Sequence, residues 1–519
     1  MSTLLTGEYR SEFTAHFPGD DSGDVRPRRT PGALWSTAAP TPVQAPGLIG
    51  WSEELAADLG IQKPATQEEI NVLGGNALAA GMKPYAACYG GHQFGHWAGQ
   101  LGDGRAITLG EWIAPDGSTR ELQLKGAGMT PYSRRADGRA VLRSSVREYL
   151  MSEAMYHLGV PTTRALSLVT TGDAVVRDMF YDGHPLPEPG AIVMRVAPSF
   201  LRFGNFEILF ARKEHEHLRK LSEWTMDRYY PHLAGSFEDR VVAWVKEIVA
   251  RTARMISEWM RVGFVHGVMN TDNMSILGLT IDYGPYSMLD DYDAAFTPNT
   301  TDLPGRRYAF GRQPAIGKWN LACLAGSLAP LLPDAATLAE ALQTYDDVFG
   351  EEYYRMMGRK LGFAEIGEQE AALVDECVEV LSGAKPDYTL FFLKLAELPL
   401  REDVDAVDFF SSTFYREPAA EARNQLSAFV TAYSDGLRQS GADRTTRLEI
   451  MRTANPRIIL RNYQLHEAIE ALGGGDAAPF EKLQQAMKQP YSDGFDELVA
   501  KRPDWAGQKA GCSMLSCSS

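Results

Sequence analysis

What most restricts the fold of this chain is a change in apolar periodicity near residue 205. Before it the pattern is mainly that of strands, with one helical segment inserted; after it the pattern is that of long helices. Segments 106–112 and 121–125 read as a strand pair joined by Pro115-Asp116-Gly117-Ser118. Further strands are expected at 164–169, 174–180 and 191–196, the first two joined as a hairpin by Thr171-Gly172-Asp173. The inserted helix is expected over 138–158, with apolar residues at Leu142, Val146, Tyr149, Leu150 and Leu158. Asp137 is its expected N-cap, and Gly159 with Pro161 its stop. The clearest later helix spans 237–262, carries Val241, Val245, Ile248, Thr252, Met255, Ile256 and Trp259 on one stripe, and ends at Gly263. Others are expected at 316–332, 335–361, 368–381, 388–398, 420–440 and 463–472. With 519 residues, 44% of them hydrophobic and 23% charged, the chain can bury its own core, which excludes bulk disorder and a membrane bundle. The fold class is α+β: a small β-rich N-lobe with one inserted helix, then a large helical C-lobe with a C-terminal helical extension.

Chemistry-bearing residues follow one another in an informative order. A glycine-dense run, Tyr89-Gly90-Gly91-His92-Gln93-Phe94-Gly95-His96-Trp97-Ala98-Gly99-Gln100-Leu101-Gly102-Asp103-Gly104-Arg105, precedes the strand pair, whose second strand ends in Lys125. Glu148 follows on the helix. The long helix then leads to His266-Gly267, to Asp272-Asn273 and, nine residues after Asn273, to Asp282-Tyr283-Gly284. Phosphate-covering loop, strand lysine, helix glutamate, loop asparagine and metal-binding aspartate before glycine occur in this order in protein-kinase-like sites, so a two-lobed protein-kinase-like fold is expected. Glycines let a backbone lie close over phosphates. Lys125 would neutralise phosphate charge with Glu148 as its partner. Asn273 and Asp282 offer hard oxygen ligands to Mg²⁺.

Two departures qualify that reading. The position five before the metal asparagine, an aspartate in kinases, is Val268, which can neither orient nor deprotonate a hydroxyl. Asp272 is the nearest candidate base. Arg105, Arg195 and Arg202 would join Lys125 in an unusually cationic phosphate cradle. His92 and His96 are four apart, but the glycines around them argue against a helix and so against a zinc pair there.

Long motifs carry a resemblance: Gly91-His92-Gln93-Phe94-Gly95, Gln100-Leu101-Gly102-Asp103-Gly104-Arg105, Leu124-Lys125-Gly126-Ala127-Gly128, Thr130-Pro131-Tyr132-Ser133-Arg134, His266 to Asn273, Asp282-Tyr283-Gly284-Pro285, Gln313-Pro314-Ala315-Ile316-Gly317-Lys318-Trp319-Asn320, Asn455-Pro456 and Arg461-Asn462-Tyr463. Over nearly its whole length the chain resembles the selenoprotein O family of protein-kinase-like adenylyltransferases. The resemblance implies transfer of AMP from ATP, bound inverted in a kinase-like cleft, to Ser, Thr or Tyr hydroxyls of proteins, with release of pyrophosphate. It implies nucleotide contacts at Gly102, Gly104, Arg105, Lys125, Asp137, Gly138, Arg195, Arg202 and Asp282. It further implies Mg²⁺ (or Mn²⁺) on Asn273 and Asp282, Asp272 as proton acceptor and Glu148 in support. The alternatives are a non-catalytic nucleotide-binding pseudokinase scaffold or a conventional protein or small-molecule kinase. The units expected are a wrapping extension over 1–85, the N-lobe over 86–204, the C-lobe over 205–400, and a helical extension with a cysteine-containing tail over 401–519.

The formal charge of −16 disfavours nucleic acid and anionic membranes as partners. No segment approaches 18 uninterrupted apolar residues, and the start lacks the pattern of a secretory signal. Five cysteines make no disulfide framework. A reducing, cytoplasmic location and a monomer are expected. Two cysteines, Cys512 and Cys517, lie in a polar tail expected to be mobile, with exposed thiols. In eukaryotic members of the resembled family selenocysteine stands third from the end, the position of Cys517 here, which implies a redox role for the tail. The partner cysteine that relatives carry after the metal aspartate is absent from Phe296-Thr297-Pro298-Asn299, so Cys512 or Cys88 would have to serve.

Overall fold

The computed structural model describes residues 1–179, 183–399, 404–441, 443–509, 511–512 and 514–516. Its strands are β1 (Tyr9–Arg10), β2 (Gly19–Asp20), β3 (Trp35–Thr37), β4 (Gly47–Trp51), β5 (Tyr85–Ala87), β6 (His92–Gln93), β7 (His96–Trp97), β8 (Ala106–Ile113), β9 (Thr119–Lys125), β10 (Arg164–Arg177) and β11 (Leu186–Ala197), with two short ones later. Nine of them form one sheet in the order β2-β3-β5-β8-β9-β11-β10-β4, with β1 added beside β8. Residues 1–85 therefore do more than wrap. They supply β4 at one edge and β2–β3 at the other, covering backbone that would otherwise stand open to pairing.

The expected β8–β9 hairpin is present, and Asp116 accepts from the Ser118 amide at 2.8 Å in its turn. The expected hairpin at 171–173 is not. β10 runs through it as a single 14-residue strand whose register against β11 shifts between Thr170 and Ala174. Gly172, at φ +75°, makes a bulge there, and the Ala45 amide donates to Thr171 O at 2.8 Å. Residue 180, the end of the strand expected at 174–180, lies outside the described residues.

The inserted helix spans Leu142–His157 with Val141 as N-cap, four residues later than expected. Gly138 has φ +70° and cannot enter a helix, and bridges Ala127↔Arg139 and Val141↔Gly190 hold the approach extended. The helix Phe237–Val262 matches its expectation: Ser236 forms a capping box with Asp239, Gly263 ends the helix in the left-handed region, and the predicted stripe is buried. Trp244 and Trp259 on this helix are fully buried, and truncating either to alanine would cost about 3–5 kcal/mol. The remaining expected helices are observed as Gln313–Leu328, Ala336–Leu361, Glu368–Ala384, Tyr388–Ala396, Ala420–Ser440 and Asn462–Gly473. Seven more, unexpected, are Glu12–His16, Gln67–Leu73, Phe203–Ala211, His215–Tyr229, Ala406–Phe410, Arg444–Ala454 and Ala478–Met487. No helix among the described residues is long and apolar enough to cross a membrane.

Candidate active site

Strand geometry brings the first cations together. Residues two apart share a face of a strand, so Gln123 and Lys125 point the same way. Arg195 stands opposite Gln123 on β11 and joins that face. Glu148 reaches it from the inserted helix: Lys125 Nζ is 2.7 Å from Glu148 Oε2, and Arg195 Nη1 is 3.2 Å from Glu148 Oε1. From the helical lobe Asp282 meets both, paired with Arg195 and 3.8 Å from Lys125. Arg202 closes the cluster at 2.5 Å from Asp282 Oδ2 and 3.8 Å from Asp103, with its guanidinium over the Tyr89 ring. Burial alone would raise the Asp282 carboxyl, but Arg202, Arg195 and Lys125 outweigh it and hold it well below the usual range. The Lys125 ammonium is lowered by burial, with Glu148 opposing that shift.

The segment expected to form the catalytic loop contains a short 3-10 turn, Thr271–Asn273. Arg202 Nη1 donates to Asp272 O at 2.9 Å, and Asn273 Nδ2 donates to Val268 O at 2.9 Å, which leaves Asn273 Oδ1 as the free end of its amide. His266 supports this loop. Its buried ring, kept neutral by burial, takes the Val268 amide on Nδ1 and binds Ile281 O through Nε2 at 3.0 Å, linking the loop to the approach to Asp282. Asp272 is buried, and burial pushes its carboxyl up to about 7 against the opposing pull of Gln93 and Arg202. Oδ2 accepts from Gln93 Nε2 at 3.2 Å, whereas Oδ1 has no hydrogen-bond partner.

A cleft of about 740 Å³ is lined by Gly102, Gly104, Arg105, Lys125, Asp137, Gly138, Arg195, Asp272, Asn273 and Asp282. Every cleft residue expected from sequence is thus on one wall or another, except two. Arg202, 1% exposed, stands behind Asp282, and Glu148 stands behind Lys125. Asp137 is not the helix cap: it accepts from the Arg139 amide and pairs with Arg177 at 2.7 Å at the cleft mouth. The glycine-dense run divides in two. Leu101 to Arg105 lines the cleft, and the β6–β7 hairpin lines it through Gln93 and Phe94 while docking on the loop that carries Asp272: His92 N donates to Thr271 Oγ1 at 2.7 Å, and Phe94 N to Asn270 Oδ1 at 3.2 Å. His92 and His96 are not opposed across that hairpin, where His92 faces Trp97.

Sequence reasoning missed Gln93, Asp103, Gln123 and Arg177. Gln123 was accessible from the period of two before Lys125, and Asp103 as the one acid within the glycine run; nothing local marked Gln93. The tail also differs from expectation. Cys512 is 3% exposed, its thiol pushed up to about 11 by burial, and its carbonyl accepts from Asn462 Nδ2 at 2.9 Å, so it is a packed residue rather than an available thiol. Cys88 is buried and free. Cys517 lies outside the described residues.

Residues 29–488 match the family model described as Protein adenylyltransferase SelO. The "Protein nucleotidyltransferase YdiU" of Cytophaga hutchinsonii is 56% identical over 521 residues, covering 100% of both chains. That of Aromatoleum aromaticum is 53% identical over 98% of this chain and 99% of its own. Among solved structures, ROP2 from Toxoplasma gondii, described as a virulence factor with a protein-kinase fold and no enzymatic activity, aligns over 67% of this chain at 14% identity and a TM-score of 0.21, too slight a likeness to build on. The family match encloses every cleft residue described above, and the chain belongs to the protein adenylyltransferase SelO family.

Proposed function

We propose that the chain transfers AMP from ATP to Ser, Thr or Tyr hydroxyls of proteins, with Asp272 as the base. The observation that carries this is the Asp272 carboxylate: buried, poised near pH 7, with one oxygen unpartnered on the wall of a cleft lined by arginines and Lys125. Val268 beside it has no proton chemistry, which disfavours conventional kinase action.

The donor set fits Mg²⁺. Asp282 is an anion at any working pH, and Asn273 has only its amide oxygen to offer, so both groups are hard oxygen donors. Bound there, the metal would neutralise phosphate charge and help align the triphosphate. The rest falls to the protein. The acceptor hydroxyl gives its proton to Asp272 as its oxygen attacks the α-phosphorus. The bond to the bridging oxygen breaks, and pyrophosphate leaves. Lys125, fixed by Glu148, and Arg195 stabilise negative charge on the phosphates; Arg202, from behind, holds Asp282 and the Asp272 carbonyl in place.

Incubation with Mg²⁺ and either α-³²P-ATP or γ-³²P-ATP tests the reading. Label on protein only from the α-phosphate supports it, with α-labelled GTP, CTP and UTP defining which nucleotide is used. Label only from γ marks a kinase. ATP binding without label from either marks a scaffold.

A further inference from the structure

We infer that His92, Glu207 and Cys323 form a binding site for a borderline-soft divalent cation, Zn²⁺ in class, next to the catalytic loop but separate from the Asn273–Asp282 pair. A ring nitrogen of His92, a carboxylate oxygen of Glu207 and Cys323 Sγ all lie within 4.8 Å of one another. The three come from different elements: β6, the helix Phe203–Ala211 and the helix Gln313–Leu328. None of them lines the nucleotide cleft.

A proton-sharing His–Glu pair, with His92 Nδ1 2.6 Å from Glu207 Oε1, accounts for two of these residues. It leaves two facts over. Glu207 is 3% exposed, yet its Oε2 has no hydrogen-bond partner, a costly state for a buried carboxylate. Cys323, a free thiol, completes the triangle. The His92 ring is also oriented from two sides, with centroids 5.2 Å from Trp97 and 5.5 Å from Trp319. His92 and Cys323 are only half-buried, so an ion has a way in.

The donor set selects the metal. One nitrogen, one oxygen and one sulfur suit Zn²⁺ or Co²⁺, whereas Mg²⁺ and Ca²⁺ take oxygens. Metal–ligand distances of about 2.0 Å to N and O and about 2.3 Å to S, arranged tetrahedrally, put ligand atoms about 3.3–3.5 Å apart. The His92–Glu207 contact must open by about 0.7 Å and Cys323 must close in, which side-chain rotation supplies; a water fills the fourth position. The ion would clamp elements that hold the catalytic loop, since His92 N binds Thr271 and Asn320 Nδ2, on the helix of Cys323, binds Met269 O at 3.0 Å.

The test is a Co²⁺ titration of chelator-stripped full-length protein with Mg²⁺ in excess, read by absorption, followed by Zn²⁺ competition. The expected result is one equivalent of Co²⁺ with a thiolate-to-cobalt charge-transfer band and tetrahedral visible bands, all displaced by Zn²⁺. Cys323→Ser and Cys323→Ala, each checked for an unchanged circular dichroism spectrum, should lose the charge-transfer band and at least about 100-fold in Zn²⁺ affinity. Glu207→Gln should weaken binding while keeping the band. No thiolate band in the unaltered protein, or a band that survives both Cys323 variants, overturns the assignment.

Discussion

Replacing Asp272 by Asn keeps the shape of the side chain and removes its basicity. The backbone contact from Arg202 goes to the carbonyl of residue 272 and is untouched by the change. With the carboxyl near 7, about a tenth of the protein carries the base form at pH 6 and about nine tenths at pH 8, so kcat/KM should rise about tenfold across that interval. The sign follows from the role: a base works only when deprotonated, so activity is lost as pH falls through the pKa. Asp272→Asn should lower turnover by about 10²–10⁴-fold and flatten the limb, while ATP binding is retained. Single-turnover transfer of label from α-³²P-ATP at fixed Mg²⁺, measured every half pH unit, gives both quantities, and calorimetry gives the binding control. A variant that keeps the same limb, or loses less than about tenfold, would refute the assignment of Asp272 as base.

Asp282→Ala should abolish transfer and also lower stability. It strips the counter-ion from Arg195 and Arg202, both at most 3% exposed, at a cost of about 3 kcal/mol read from denaturant midpoints; an unchanged midpoint would mean that the arginines find other partners. Gly91→Ala places a methyl 2.9 Å from Asp272 Oδ1 and 3.1 Å from its amide, so kcat should fall by about tenfold with little change in KM for ATP, because the base shifts and the cleft wall does not. Chelation of divalent metal should stop transfer, and Mg²⁺ alone should restore it; full activity in excess chelator would remove Asn273 and Asp282 from the metal role.

Lys125, Glu148 and Asp282 could be placed from sequence because each sits on an element whose type is locally encoded and whose order in the chain is distinctive. Arg195 and Arg202 were recognisable as cations of the site, but not their depth. Nothing local tells that Asp282 draws Arg202 behind itself rather than leaving it on the wall. Glycine density marks a backbone that comes close to something without saying to what: in Gly102 to Arg105 the neighbour is the cleft, and in the β6–β7 hairpin, whose Gln93 and Phe94 also line the cleft, it is Thr271 and Asp272. The helix Phe203–Ala211 was missed because its apolar residues leave no polar face to set a period, and His215–Tyr229 because charged residues dominate it. Cys512 read as a tail thiol because sequence cannot show that Asn462, 50 residues away, takes hold of its carbonyl.

Charge ties these observations together. Lys125, Arg195 and Arg202 are matched one for one by Glu148, Asp282 and Asp103, so the innermost cluster is neutral and cannot by itself draw a polyanion into a chain of net charge −16. Its work is geometric: each charge is held by two or more partners, so the cations and the proposed metal ligand Asp282 are in position before any ligand arrives, and little reorganisation remains. The attraction must come from elsewhere on the wall. Arg105, Arg134 and Arg135 line the cleft, and their side chains make no hydrogen bond or ion pair among the described residues. Division of labour follows from burial. Deep charges are paired because an unpaired one is too costly, and outer charges stay unpaired because water tolerates them until phosphate replaces it. A cleft built this way can be strongly attractive to a triphosphate inside a protein whose average charge repels one.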